Sequence, residues 1–147
     1  MYQLRTHGLR ADYSAMAAIA TTPTDVTVVR ALVESGGRFL LVRRAAWDSM
    51  PGLWELPGGK VDGDEPPLDA LVRELDEETG LMLADARGLS IREMISPRGR
   101  SVREFVYVVS AVGSVTLSVE HDAFVWVDAP DELELTDAAA TAFSLAS

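Results

Sequence analysis

An α+β layered sandwich is the fold class this sequence predicts, and three observations carry it. A β-hairpin pattern precedes one amphipathic helix, strand-like runs follow that helix, and the chain closes on a segment of helical composition. Residues 1–24 are read as an N-terminal extension of unassigned role and residues 25–147 as one domain. Inside the extension, Ala11–Ala20 reads as a short helix or a mobile segment, ended before Pro23. It is too short, and its approach too polar, for a signal peptide.

The elements of the domain follow in order. Val26–Val33 and Phe39–Arg43 are aliphatic, β-branched runs on either side of Gly36-Gly37, which is a hairpin signal. A helix is expected next, with Asp64 as its N-cap and Pro66-Pro67 in the first turn, where a missing N–H costs nothing. Gly80 suits the left-handed residue that closes it. At about 100° per residue, Leu68, Leu71, Val72 and Leu75 fall on one core-facing stripe, and Glu74, Glu77 and Glu78 share another roughly 120° away. Strands are expected at Leu89–Met94, Glu104–Val112 and Phe124–Val127, with a loop through Ser96–Arg100. Asp131–Ala146 has helix-like composition.

Composition narrows the class. A chain of 147 residues with 48% apolar content can build one full core. A net charge of −10 argues against a nucleic-acid binder, which needs a basic groove, and against an anionic membrane surface. With no cysteine, disulfides, thiol catalysis and cysteine-based zinc sites are excluded. No run of about 18 apolar residues is present. These features suit a compact cytoplasmic enzyme.

The chemistry concentrates in GKVDGDEPPLDALVRELDEETGL, residues 59–81. Its fixed positions are Gly59, then Glu65 after five residues, Arg73-Glu74-Leu75 after seven more, Glu77-Glu78 after one, and Gly80-Leu81 after one. Three glutamates at i, i+3 and i+4 repel one another by a few tenths of a kcal/mol per pair, and a divalent cation would reverse that sign. Oxygen ligands with no Cys or His nearby in sequence suit a hard ion, Mg²⁺ or Mn²⁺, which completes its shell with waters and phosphate oxygens. A solvated acidic helix face is the bland reading of such a run.

This spacing matches the signature of the Nudix hydrolases at every fixed position, an event of order one in ten million by chance. The resemblance spans roughly residues 25–135 and is closest to the MutT-like branch, through Leu40–Ala46 and Trp54–Lys60. It implies the Nudix fold, an α/β/α sandwich with a mixed β-sheet between helices. It also implies metal ligation by the Gly59 carbonyl and by Glu74, Glu77 and Glu78, with Arg73 orienting a neighbouring glutamate. Glu120, six residues before Trp126, matches a further acidic position that binds metal or acts as base, so Glu74 and Glu120 are both candidates for the base. Glu65 either joins the site or favours the helix N-terminus and fixes the loop. Arg44 matches a substrate-contacting arginine, while Arg43 should point to the opposite face as a solvated charge. Lys60, the one lysine of the chain, stands where a phosphate would lie.

The implied reaction is attack of water on a diphosphate linkage of a small nucleotide, with magnesium, or manganese in its place, on the phosphate oxygens. Members that remove oxidised guanine nucleotides read the base with a C-terminal asparagine. This chain has no asparagine, and Asp137, which falls near that place, only accepts hydrogen bonds. Pro97, sixteen residues beyond Leu81, resembles a marker of the ADP-ribose branch, but Gly58 stands where that branch tends to have alanine, and Pro97 also reads as a turn residue. Triphosphates are therefore preferred over ADP-ribose or nucleotide sugars. An inactive nucleotide-binding domain would be expected to show a broken signature, and this one is intact. A monomer or homodimer is expected. Trp54, Trp126, Phe105 and Tyr107 read as packing residues, Trp47 as a loop ring that could stack on a base, and His7 and His121 carry no role.

Overall fold

The computed structural model describes residues 3–7 and 23–146. Along the chain run β1 (Gln3–His7), β2 (Val26–Ser35), β3 (Arg38–Arg44), β4 (Trp54–Glu55), β5 (Gly58–Lys60), α1 (Pro67–Thr79), β6 (Met82–Ile95), β7 (Ser101–Val112), β8 (His121–Val127) and α2 (Asp137–Ala146). The sheet order is β1-β6-β7-β2-β3-β4, with β5 also on β2 and β8 also on β3. β2 and β7 are parallel and the other pairs antiparallel, so the sheet is mixed.

Alternation along the central strands builds the three layers. Val29, Ala31 and Val33 of β2 and Phe105, Tyr107 and Val109 of β7 pack with Leu71 and Leu75 of α1. Leu32 of β2 and Val106 and Val108 of β7 pack with Ala139 and Ala142 of α2. Successive side chains point to opposite faces of a strand, so one apolar run feeds two cores, and the expected α/β/α sandwich around a mixed sheet is observed. Phe105 and Tyr107 are buried, and Trp54 and Trp126 pack against the two cores from their margins.

The hairpin closes at Gly36-Gly37 with Glu34 opposite Phe39 and Ser35 opposite Arg38. Strand positions agree with the sequence reading, but β6 and β7 are longer at their starts because they pair with each other along almost their whole length. The two short strands β4 and β5 and the edge strand β1 were not signalled by periodicity. β1 pairs with the outer half of β6, from Gln3 opposite Ile95 to His7 opposite Ile91. The helix considered at Ala11–Ala20 lies outside the described residues.

Two details of α1 correct the sequence reading. Asp64 is not the cap: the helix begins at Pro67, Pro66 is extended at the N-cap, and no side chain caps it. Pro67 disfavours helical geometry in the residue before it, and the chain turns earlier, where the Glu65 N–H donates to the Asp62 carbonyl. Val72 is 45% exposed, and the buried face is Ala70, Leu71, Leu75, Glu78 and Thr79. That face is rotated toward the glutamates, so the acidic side chains span a range of burial rather than sharing one solvent stripe. Gly80 adopts φ 70° and its N–H donates to the Asp76 carbonyl, the left-handed ending expected of it. No helix among the described residues is long and apolar enough to cross a membrane.

Candidate active site

The glycine turn and α1 meet at van der Waals distance. A Cβ on Gly58 would lie 2.0 Å from the Val29 carbonyl oxygen, so only glycine lets β5 approach β2 this closely. A Cβ on Gly59 would lie 2.6 Å from the carboxyl carbon of Glu74, which packs directly on the glycine backbone. The carboxylate of Glu74 and the turn therefore share one small space.

Arg73 ties this region together. Its Nε and Nη2 donate to the two oxygens of Glu65, both at 3.0 Å, in fork geometry. Its Nη1 donates to Glu74 Oε1 at 2.9 Å and to Glu77 Oε2 at 3.3 Å, and Nη2 also donates to the Lys60 carbonyl at 3.1 Å. Glu65 thus acts in structure: it holds the loop and the arginine, and its hydrogen bond to Arg73 is the main reason its carboxyl lies below the ordinary value, with burial opposing. The same bond is the main reason the Arg73 pKa is raised.

The three glutamates differ sharply. The Glu77 side chain is 56% exposed and that of Glu78 4%. Burial pushes Glu78 up to about 8, with Arg30 and the Gly58 N–H pulling it down and Glu120 and Glu55 adding repulsion. Its oxygens accept from the Gly58 N–H at 3.3 and 3.5 Å. Glu74 is also raised, chiefly by burial, against the pull of Arg73 and with repulsion from Glu77 and Glu120. Glu120 is exposed in the turn before β8, near enough for its charge to act on Glu74 and Glu78.

A second set of residues lies behind the first. His121 Nε2 and Glu55 Oε2 are 2.7 Å apart, and His121 Nδ1 lies 3.9 Å from Glu78 Oε2. Burial disfavours the charge on Glu55, but the His121 hydrogen bond and the charges of Arg30 and Arg44 outweigh it, leaving the carboxyl below its ordinary value. β3 brings the pair together, with β4 on one edge and β8 on the other. His121 lies against the acidic cluster although no role was expected of it. Glu55 and Arg30 were missed as well. The adjacency of His121 to Glu120 was the one signal in the sequence.

The remaining expected residues are placed less centrally. Arg44 donates to Asp48 and, through Nη1 at 3.1 Å, to Glu55, so its guanidinium is already engaged. Arg43 is not simply solvated: it pairs with Asp122 at 2.7 Å and lies 5.6 Å from the Trp54 ring centre. Lys60 lines a surface cleft with Thr24, Asp25, Thr27, Gly63 and Arg100, and none of the clustered carboxylates lines it. Asp137 is exposed in the first turn of α2, which packs on β4 and β6. Trp47 is 68% exposed, and its Nε1–H donates to the Val119 carbonyl at 3.2 Å, beside Glu120.

A divalent cation fits these residues. Ligand atoms of Glu78, Glu120 and His121 all lie within 4.8 Å of one another, and His121 Nδ1 is buried with no hydrogen-bond partner among the described residues. Crowded carboxylates with depressed ionisation are what a bound cation would relieve.

A sequence model of the NUDIX domain matches residues 22–145. The chain belongs to the Nudix family. It is similar to the CTP pyrophosphohydrolase of Escherichia coli (strain K12), 34% identical over 109 residues, 74% of this chain and 80% of that protein. It is also similar to the nucleoside triphosphatase NudI of Klebsiella pneumoniae (strain 342), 36% identical over 119 residues, 71% of this chain and 83% of that protein. Among solved structures, a MutT NUDIX hydrolase from Burkholderia pseudomallei superposes with a TM-score of 0.73 at 31% identity, covering 83% of this chain and 98% of that one. This Nudix protein is a MutT-like hydrolase acting on phosphorus-containing anhydrides, and the family generally uses a divalent metal.

Proposed function

We propose that the protein is a Mg²⁺-dependent pyrophosphohydrolase of nucleoside triphosphates, releasing a monophosphate and pyrophosphate. The observation that carries this reading is an acidic cluster at the glycine turn, with Glu74 packed on Gly59, Glu78 accepting from the Gly58 N–H and Glu120 repelling both, which suits a polyphosphate only through a cation. The relatives named for CTP and for nucleoside triphosphates support the substrate class. Mg²⁺ is favoured by the carboxylate-rich ligands, with Mn²⁺ able to substitute. The Gly59 carbonyl, Glu77, Glu78 and Glu120 would hold it, and Glu74 stands close enough to share in ligation. A bound divalent cation supplies positive charge against the phosphate oxygens and lowers the pKa of a coordinated water.

The side chains do the rest. Glu74 takes the proton of the attacking water: burial lifts its pKa toward the working pH of a general base, and Arg73 fixes its orientation through one oxygen, leaving the other free. Arg44 and Lys60 are assigned to the substrate side, Arg44 after exchanging one of its carboxylate partners for a phosphate. The exposed face of Trp47 offers a stacking surface for the base, held by the Val119 carbonyl beside Glu120. Asp137 would accept from a donor-rich base edge if α2 borders the substrate. The proposed setting is the cytoplasm, with a small nucleotide rather than a nucleic acid as partner and a monomer or homodimer as the working form.

ADP-ribose is the competing substrate, on the strength of Pro97 alone. Chromatography of products from a panel of triphosphates, oxidised dGTP and ADP-ribose, with Glu77→Gln as control, tests the choice. Monophosphate and pyrophosphate from triphosphates, lost in the variant, is the expected result. AMP and ribose phosphate from ADP-ribose alone would overturn it.

A further inference from the structure

We propose that His121 is itself a ligand of the catalytic metal, offering Nδ1 to the cation while Glu55 holds the ring from behind. The inference rests on the metal reading above and assigns to it a nitrogen donor that the carboxylate-rich motif does not contain.

The tautomer follows from the partners. Glu55 Oε2 lies 2.7 Å from Nε2, and an ionised carboxylate has no hydrogen to give, so Nε2 carries the proton and Nδ1 presents a lone pair. That lone pair is buried in a side chain only 2% exposed and has no hydrogen-bond partner among the described residues. The charged group it faces is Glu78, whose Oε2 at 3.9 Å is too far for a hydrogen bond. Once Glu78 is ionised, two acceptors confront each other with no donor between them, an arrangement that is costly without a cation and favourable with one. Glu120, the preceding residue, supplies the third ligand atom of the group, all within 4.8 Å.

The support behind the ring has the form found behind metal-bound histidines, in which the second ring N–H is donated to a carboxylate that fixes tautomer and orientation. Glu55 is itself fixed, by Arg44 Nη1 at 3.1 Å and Arg30 Nη1 at 3.7 Å, so the ring has little freedom to turn away. Glu55 is thus a positioning residue that acts through His121. Imidazole raises affinity for first-row transition ions relative to Mg²⁺, so Mn²⁺ should bind more tightly here than a purely carboxylate site would allow.

Pulsed electron paramagnetic resonance of the full chain loaded with Mn²⁺ reads the bond directly. Nitrogen couplings typical of a bound imidazole should appear, should change when histidine alone is labelled with ¹⁵N, and should persist in His7→Gln. His121→Phe should abolish them while Mn²⁺ still binds, more weakly by about tenfold or more, and Glu55→Gln should keep them with an affinity loss of about 10- to 100-fold. Mn²⁺ bound at the cluster, released by Glu78→Gln, yet showing no histidine coupling would overturn the inference and leave the metal site standing. A well-folded protein that binds no Mn²⁺ would overturn both.

Discussion

Two networks flank the glutamates of α1, one through Glu74 and one through Glu78, and they are built in opposite ways. The Arg73 network is local and partly open to solvent: one half-buried guanidinium collects Glu65, Glu74, Glu77 and the Lys60 carbonyl, all within 13 residues of it in the chain. The His121 network is distant and dry, with Glu55 and His121 66 residues apart and both buried. The first borders solvent at Glu77, where the pair with Arg73 is screened and individually weak. The second leaves a buried partner unsatisfied when any member is removed, so it holds geometry more rigidly. Under the proposed function the two would divide the labour, the local network placing the base and the buried one fixing the far wall of the cation site.

The largest expected effect separates the two candidate bases. Glu74→Gln should lower kcat by about 10²- to 10⁴-fold at saturating Mg²⁺ with little change in melting temperature. Glu120→Gln, at an exposed position, should cost about tenfold less, and steady-state kinetics showing the reverse order would transfer the role to Glu120. Next comes the core beneath α1. Leu71→Ala should destabilise the fold by about 2–5 kcal/mol in urea unfolding, whereas Val72→Ala, one residue on but 45% exposed, should change it by less than about 0.5 kcal/mol.

The buried side of the comparison also sets a pH dependence. Glu78 has its folded pKa raised from 4.5 to about 8, so the metal-free folded chain holds a proton that the unfolded chain gives up. Its contribution to stability is complete below about 4.5 and is lost as pH rises toward 8. The melting temperature of the metal-free protein should therefore fall between pH 5 and 8.5, and excess Mg²⁺, which binds the ionised form, should flatten that fall. A metal-free melting temperature that rises across this window would contradict the buried assignment. The smallest effect belongs to the rim: Trp47→Ala should raise KM about five- to tenfold with kcat unchanged, as loss of one stacking contact requires, and an unchanged KM would remove Trp47 from the base site.

How much of this was legible in the sequence follows the same division. The Arg73 network lies inside one contiguous stretch, so helix geometry alone put Glu74 and Glu77 on one stripe and Gly80 at the helix end, while their roles came from the family resemblance. The strands at Val26–Val33 and Glu104–Val112 were legible from their residue types, whereas a mixed sheet between helices came from the family resemblance. Asp64 failed as the cap because Pro67 sets where the helix can begin, a local effect that overrode a favourable residue type. Val72 and Glu78 exchanged environments because the buried face is set by which part of the sheet α1 meets, and periodicity fixes a stripe's width better than its edges. His121 and Glu55 were invisible for a stronger reason. Two-residue strands such as β4 have no period to detect, and the pairing of β3 with both β4 and β8 is a tertiary fact. Arg44, legible as a cation near the site, turned out to be a partner of Glu55, a role that only the folded arrangement assigns.

The proposed function requires this acidic cluster to hydrolyse a triphosphate between its α and β phosphates with the help of a divalent cation. The most direct measurement is mass spectrometry of the products formed from CTP in ¹⁸O-labelled water, with and without Mg²⁺, for the native chain and Glu78→Gln. Monophosphate and pyrophosphate, one of them carrying a single ¹⁸O, formed only with Mg²⁺ and lost in the variant, is the expected result. Release of orthophosphate with a nucleoside diphosphate, or turnover that survives Glu78→Gln undiminished, would contradict the account.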